Sequence, residues 1–176
     1  MQPSDYQDIT KYLADRNAEQ ERQIQFLEIL DETIPEELDD IVTAADEVVW
    51  EQVDCTACAH CCKTMTPYYK DEDIVRIAAH LNLSIAEFKE QYLEFEEETE
   101  QWVHDALPCV FLKDNLCEIY EVRPLDCREF PHHDKRPFDK WTDTYKQNVK
   151  KCPATYDLVG KVMGFVQDNY EGFETN

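Results

Sequence analysis

Eight cysteines carry most of the chemistry this sequence can do. Four of them fall in the run Cys55-Thr56-Ala57-Cys58-Ala59-His60-Cys61-Cys62, a Cys-x2-Cys-x2-Cys-Cys pattern. A Cys-x2-Cys turn places two sulfurs on one side of a tight bend, near enough to share a metal ion, and so recurs in structural zinc sites and iron–sulfur sites. Cys109, Cys117, Cys127 and Cys152 add four more thiols from the second half. All eight are candidate metal ligands, twice what one tetrahedral ion needs. Neighbouring side chains in extended or turn backbone diverge, so Cys61 and Cys62 are expected to face different partners. Two arrangements stay open: two separate or bridged cysteine-rich sites, or a single site with the remaining thiols buried as small apolar residues.

Zinc and iron both suit such ligands. The run Cys55-x2-Cys58-x2-Cys61 with a remote Cys152-Pro153 is similar to the ligand run of bacterial ferredoxins, which admits an iron–sulfur cluster. Closed zinc sites with four thiolates explain the same cysteines without redox chemistry. His60 lies inside the run and His132-His133 follow Cys127, yet loop histidines are more often ordinary than ligating. His80 and His104 fall in segments that read as helical, at the surface or the core edge.

The elements that must position these thiols are mostly helices. Residues 5–30 are rich in Glu, Gln, Ala and Leu, with Ser4 as N-cap. Leu38, Ile41, Val42, Ala45 and Val49 recur at helical spacing, with Thr33 and Glu36 as a capping box, and deliver the chain to Cys55. Ile74, Ile77, Ala78 and Leu81 repeat the period after the acidic turn Asp71-Glu72-Asp73, ending near Asn82. Ser84 and Glu87 form a second capping box leading to Phe88, Tyr92 and Leu93, and the acidic residues 94–100 read as a solvated face. Cys109-Val110-Phe111-Leu112 and Cys117-Glu118-Ile119-Tyr120 read as two short strands about Lys113-Asp114-Asn115. A last helix starts near Pro153 and carries the stripe Val159, Val162, Met163 and Val166. The expected fold is mainly α, with helices around a cysteine-rich metal-binding core and a short β-hairpin. One domain is expected over 1–176, made of an N-terminal helical segment (1–53), a metal-binding region (54–153) and a C-terminal helix (154–176).

Composition limits the partners. With 39 acidic and 17 basic residues the formal net charge is −22, a field that repels phosphate backbones and anionic headgroups. Nucleic acid and membrane surfaces are therefore excluded as main partners, and a basic protein partner is the candidate that charge favours. No apolar stretch approaches the roughly 20 residues a bilayer needs, and no secretory signal is legible in Met1-Gln2-Pro3-Ser4-Asp5-Tyr6, so a soluble, cytoplasmic protein is expected. A reducing compartment favours metal over disulfides for this many cysteines.

The run Cys55 to Cys62, with Pro108-Cys109-Val110-Phe111-Leu112 and the stretch Cys117-Glu118-Ile119-Tyr120-Glu121-Val122-Arg123-Pro124-Leu125-Asp126-Cys127-Arg128-Glu129-Phe130-Pro131, resembles the YkgJ-like CxxCxxCC family of zinc- or iron-chelating domains. The likeness covers about residues 54–153 and implies metal chelation rather than a defined reaction. Flagellin lysine N-methylases look similar through the same cysteine pattern. Beside the resemblance, Arg123 and Arg128 can offset the negative charge that a thiolate cluster accumulates.

The leading expectation is a metal-binding protein whose zinc or iron organises the fold. The alternatives are an iron–sulfur-dependent enzyme that modifies a protein or peptide, lysine N-methylase-like, and a metal-handling or interaction module. Against an enzyme of that kind, no glycine-rich nucleotide or S-adenosylmethionine loop is present. No residue is assigned a catalytic role.

Overall fold

The computed structural model describes residues 9–104 and 106–175; the Ser4 cap expected for the first helix lies outside the described residues. The fold is mainly α, with small antiparallel sheets. Its chain forms two compact units, Met1–Cys58 with Pro131–Asn176, and Ala59–Phe130.

In the first unit the expected amino-terminal helix is broken, giving α1 (Ile9–Ala14) and α2 (Asn17–Leu30). Arg16 sits at the break, its guanidinium 3.7 Å from the Tyr12 ring centroid and its Nη1 donating to the Tyr12 carbonyl at 3.0 Å. The inner face of α2 mixes Phe26, Leu27 and Leu30 with buried Gln20 and Gln23. Their amides donate to the Leu13 and Tyr156 carbonyls, which offsets the cost of burying them. α3 (Leu38–Gln52) buries Leu38, Val42 and Val49, as the periodicity predicts. Its N-cap is Glu37 with no side-chain cap bond, so the capping box expected from Thr33 and Glu36 does not form.

A short helix, α4 (Cys55–Cys58), carries the first two cysteines of the run. The unit's remaining helices are α9 (Thr142–Val149) and α10 (Pro153–Asn169), the latter with Pro153 at its first position, where a missing N–H costs nothing. α10 packs on α2, α3 and α9 and buries Leu158, Val159, Val162 and Val166 completely. Phe138 stacks on Tyr145 at 4.3 Å between centroids.

In the second unit α5 (His60–Thr64), β1 (Tyr68–Tyr69), α6 (Asp71–His80) and α7 (Ile85–Tyr92) follow one another. α7 starts on the expected box: the Glu87 N–H donates to the Ser84 hydroxyl at 3.2 Å, and the Ser84 N–H donates back to the Glu87 carboxylate at 2.9 Å. The acidic stretch expected as a solvated face is exposed, but it forms a hairpin, with β2 (Glu94–Glu96) paired to β3 (Gln101–Val103) and β1 on the other side of β3. Phe95 faces Trp102 across that pair.

The expected cysteine hairpin is present but short, β4 (Leu112–Lys113) against β5 (Leu116–Cys117), with Leu112 opposite Cys117. Its two-residue loop, Asp114 and Asn115, has φ of 50° and 64°, the left-handed pair of a type I′ turn. α8 (Leu125–Glu129) closes the unit. The core is Tyr69, Ile74, Ile77, Ala78, Phe88, Phe111 and Ile119. Among the described residues, no helix is long and apolar enough to cross a membrane.

Candidate metal centre

None of the eight cysteines is in a disulfide. Within the second unit they arrive from separate elements: Cys61 and Cys62 on α5, Cys109 just before β4, Cys117 at the end of β5, and Cys127 in the middle of α8. Cys62 and Cys109 are tied through the backbone, the Cys109 N–H donating to the Cys62 carbonyl at 2.8 Å. The next residue is pinned by a buried imidazole, because the Val110 N–H donates to His104 Nε2 at 3.1 Å. A nitrogen that accepts there leaves Nδ1 to carry the proton toward the Tyr92 carbonyl, 3.3 Å away. His104 lies in the loop after β3, not in the helix expected of it, and it is almost fully buried.

Four thiols of this unit act on one another. Desolvation pushes the Cys127 thiol up, and the neighbouring Cys62, Asp126, Cys109 and Cys117 push it further. Cys109 and Cys117 are also raised, first by desolvation. The backbone N–H groups of Phe111 and Leu112 work against that at Cys109, and the N–H of Ile119 does so at Cys117. Such N–H groups aimed at sulfur favour the thiolate that a metal needs. Arg123 lowers Cys117, in line with the charge-offsetting role expected of it, while its guanidinium lies 3.8 Å from the Tyr120 ring centroid. Desolvation leads the rise at the Tyr69 phenol, to which Cys109, Cys127 and Cys117 add, so its ring stands beside the same thiols.

Cys61 and Cys62 do not diverge. Their sulfurs are 4.0 Å apart, and that contact is the largest cause of the rise in the Cys62 pKa. Both sit on α5, where neighbouring side chains do not ordinarily face each other, and the sulfurs approach nonetheless. Two sulfurs held tetrahedrally at a Zn–S distance of about 2.3 Å would be roughly 3.8 Å apart. The observed spacing is therefore close to that of two ligands on one ion.

Cys127 is positioned by a residue the sequence reading passed over. Asp73, on the inner face of α6 and 2% exposed, accepts from the Leu125 N–H at 3.1 Å and from the Lys70 N–H at 3.1 Å. Arg76 pairs with the same carboxylate and donates to the carbonyls of Val122 and Arg123. Asp126 accepts from the Tyr68 N–H at 3.2 Å. Arg123-Pro124-Leu125-Asp126-Cys127 is thus bolted to α6 and β1. The only sequence signal for Asp73 was its place three residues after Lys70, the third position of the helix, where a carboxylate reaches back to the N-cap N–H.

In the first unit Cys55 opens α4, exposed, and Cys58 closes it, half-buried. Cys152 is the N-cap of α10 and is buried. Burial pushes its thiol up to about 12, with the N–H and hydroxyl of Thr155 and the N–H of Ala154 acting the other way and Cys55 adding to the rise. Cys55 and Cys152 are therefore neighbours. His133 is not free to ligate as it stands: both ring nitrogens are engaged, with Asp46 and Thr155.

Among the described residues, no three His, Cys, Asp or Glu side chains are drawn together tightly enough to hold an ion as they stand. Within each unit, thiols lie within electrostatic range of one another without forming a closed shell. Their chemistry nonetheless fits zinc or iron, since the donors are sulfurs with N–H support and not the oxygen sets that magnesium or calcium require.

The family model for CxxCxxCC, described as "Putative zinc- or iron-chelating domain", matches residues 54–153. The chain belongs to that family. It is also similar to an uncharacterized protein of Methanocaldococcus jannaschii, 32% identical over 112 residues, which make up 61% of this chain and 60% of the relative. No solved structure matches the chain.

Proposed function

We propose that this protein binds zinc or iron through thiolates and that Cys62, Cys109, Cys117 and Cys127 supply one four-sulfur set. The observation that carries this reading is the convergence of these thiols, the Cys109 N–H donating to the Cys62 carbonyl at 2.8 Å while the hairpin brings Cys117 and α8 brings Cys127 near enough for the sulfurs to raise one another. Family membership supports the choice of metal. Cys55, Cys58, Cys61 and Cys152 are proposed as further ligands on their spacing. The bound ion would supply cross-linking of the unit's elements, or electron transfer if it is an iron–sulfur cluster. A cytoplasmic setting and a basic protein partner fit the thiol content and the charge of −22, which also disfavours nucleic acid.

Elemental analysis of the full chain purified without oxygen tests this. Stoichiometric zinc or iron is expected, lost in part when any of Cys62, Cys109, Cys117 or Cys127 is changed to Ser. A brown protein absorbing in the visible range identifies iron–sulfur, and a colourless zinc-loaded one identifies a structural site. Metal-free wild-type protein, or full metal in all four variants, overturns the proposal.

A further inference from the structure

We propose that Asp46 and the buried His133 and Thr155 form a hydrogen-bonded chain that positions the Cys152 sulfur for metal, a role that rests on Cys152 being a ligand. Cys152 is the N-cap of α10 and only 7% exposed, so solvent cannot orient its side chain. Thr155 occupies the third position of that helix, and the side chains at N-cap and third position face each other across the first turn. The Thr155 hydroxyl and the N–H groups of Ala154 and Thr155 accordingly face the sulfur and favour its thiolate.

Thr155 is itself held. Its Oγ1 lies 3.0 Å from His133 Nε2, and His133 Nδ1 lies 2.7 Å from Asp46 Oδ1. A carboxylate only accepts, so the Nδ1–H donates to Asp46, which fixes the ring plane and presents Nε2 to the threonine. Thr155 is 0% exposed and His133 4%, and Trp50 and Tyr145 flank the imidazole at 5.5 and 6.3 Å between centroids. Such a chain is costly to bury unless each member is satisfied, and here each is. It links α3, the segment that holds His133 and the first turn of α10, and its free end is the hydroxyl beside Cys152. A thiolate only accepts and the hydroxyl has one proton, so the contact Nε2 makes with Oγ1 decides whether that proton is turned to the sulfur, and a change at His133 is transmitted to it.

The test uses the full chain loaded with cobalt(II), whose sulfur-to-metal absorption reports the thiolates directly. The variants are Thr155→Val, which keeps the shape and removes the hydroxyl, Thr155→Ser, which keeps the hydroxyl, His133→Gln and Cys152→Ser. Thr155→Val and His133→Gln are expected to weaken cobalt affinity by about 10- to 100-fold and to shift the charge-transfer band, whereas Thr155→Ser stays near wild type. A purely structural role would lower the melting temperature of the metal-free chain and leave affinity and band unchanged, which overturns the proposal. If Thr155→Val does not fold, the same readouts on His133→Gln decide. Cys152→Ser separates the two readings: full cobalt binding in that variant overturns the ligand assignment itself, while loss there with wild-type affinity in Thr155→Val and His133→Gln overturns only the positioning chain.

Discussion

Asp73 receives two backbone N–H groups and the Arg76 guanidinium in a site closed to solvent. Asp73→Asn would turn an amide donor toward one of those N–H groups and strip Arg76 of its charge partner. Breaking a buried pair of this kind costs about 3 kcal/mol, moderated here because the Arg76 side chain is 33% exposed. The expected result is a lower denaturant midpoint by about 2–3 kcal/mol with an unchanged slope, and weaker metal retention, because Cys127 hangs on the same segment. A loss under about 0.5 kcal/mol would remove Asp73 from this role. The contrast with the cysteines explains what was legible at this scale. Thiols at Cys-x2-Cys spacing point to the zinc- or iron-chelating family from sequence alone, because four thiols in eight residues with four more downstream suit few other roles. The positioning groups Asp73, His104, His133 and Thr155 are common residues whose role depends on what long-range folding sets beside them. The divergence expected of Cys61 and Cys62 in extended or turn backbone is not observed: they lie on a helix, and their sulfurs stand 4.0 Å apart.

Among the elements, helix contacts in the first unit set the limits of substitution. α10 carries two glycines in its interior, where Ala is ordinarily better by about 1 kcal/mol. A Cβ on Gly160 would stand 2.9 Å from the Gln23 amide nitrogen, the group that donates to the Tyr156 carbonyl, whereas a Cβ on Gly164 meets nothing within 4 Å. Gly164→Ala is therefore expected to raise stability by about 1 kcal/mol, and Gly160→Ala to give no gain or a loss. Equal gains in thermal melts would show that Gln23 yields freely. At the end of α2, Asp31 clasps α9 through the Lys146 ammonium at 2.7 Å and the Thr142 hydroxyl. Burial acts to raise its pKa, but these two partners together hold the carboxyl below its usual range. A lowered native pKa gives stability that is present above the unfolded carboxylate value, about 3.9, and lost as pH falls through the native value. Asp31→Asn should thus cost at most about 1 kcal/mol at neutral pH, since Asp31 is 42% exposed, with the difference closing below about pH 4. A difference independent of pH would rule out the charge. Helices with strong periodicity, α3, α6 and α10, were legible with their inner faces. The break at Arg16 and the β2–β3 hairpin were not: one rests on a guanidinium packing over Tyr12, the other on cross-strand pairing of Phe95 and Trp102 in an acidic stretch that by composition reads only as solvated.

For the molecule as a whole, the two units differ in what they can sustain without metal. The first buries an extended set of large apolar side chains, among them Phe26, Leu27, Leu30, Val42, Phe138, Tyr145, Leu158 and Val162. At roughly 1.5–3 kcal/mol per fully buried side chain, such a set can offset much of the chain entropy that folding costs. The second unit spans Ala59–Phe130, and its core consists of Tyr69, Ile74, Ile77, Ala78, Phe88, Phe111 and Ile119. Its sheets are two or three residues long per strand, and its acidic hairpin strand β2 is wholly exposed. A core of that size rarely supplies more than about 3–5 kcal/mol by itself, and no disulfide adds to it here. Zinc held by a structural thiolate site contributes on the order of 10 kcal/mol or more, comparable with the whole stability of a typical domain, about 5–15 kcal/mol. Gathering the same thiols without metal gives little in return, because desolvation and neighbouring sulfurs push Cys109, Cys117 and Cys127 toward the protonated form, a weak hydrogen-bond donor. Chelation under reducing conditions is therefore expected to release the amides of 59–130 to rapid hydrogen exchange while α3 and α10 stay protected. Near-ultraviolet circular dichroism should change with it, since Tyr69, Tyr92 and Trp102 all belong to or pack on that core. Uniform protection across both units after confirmed metal loss would show that the second unit holds itself together and that its cysteines do not organise it.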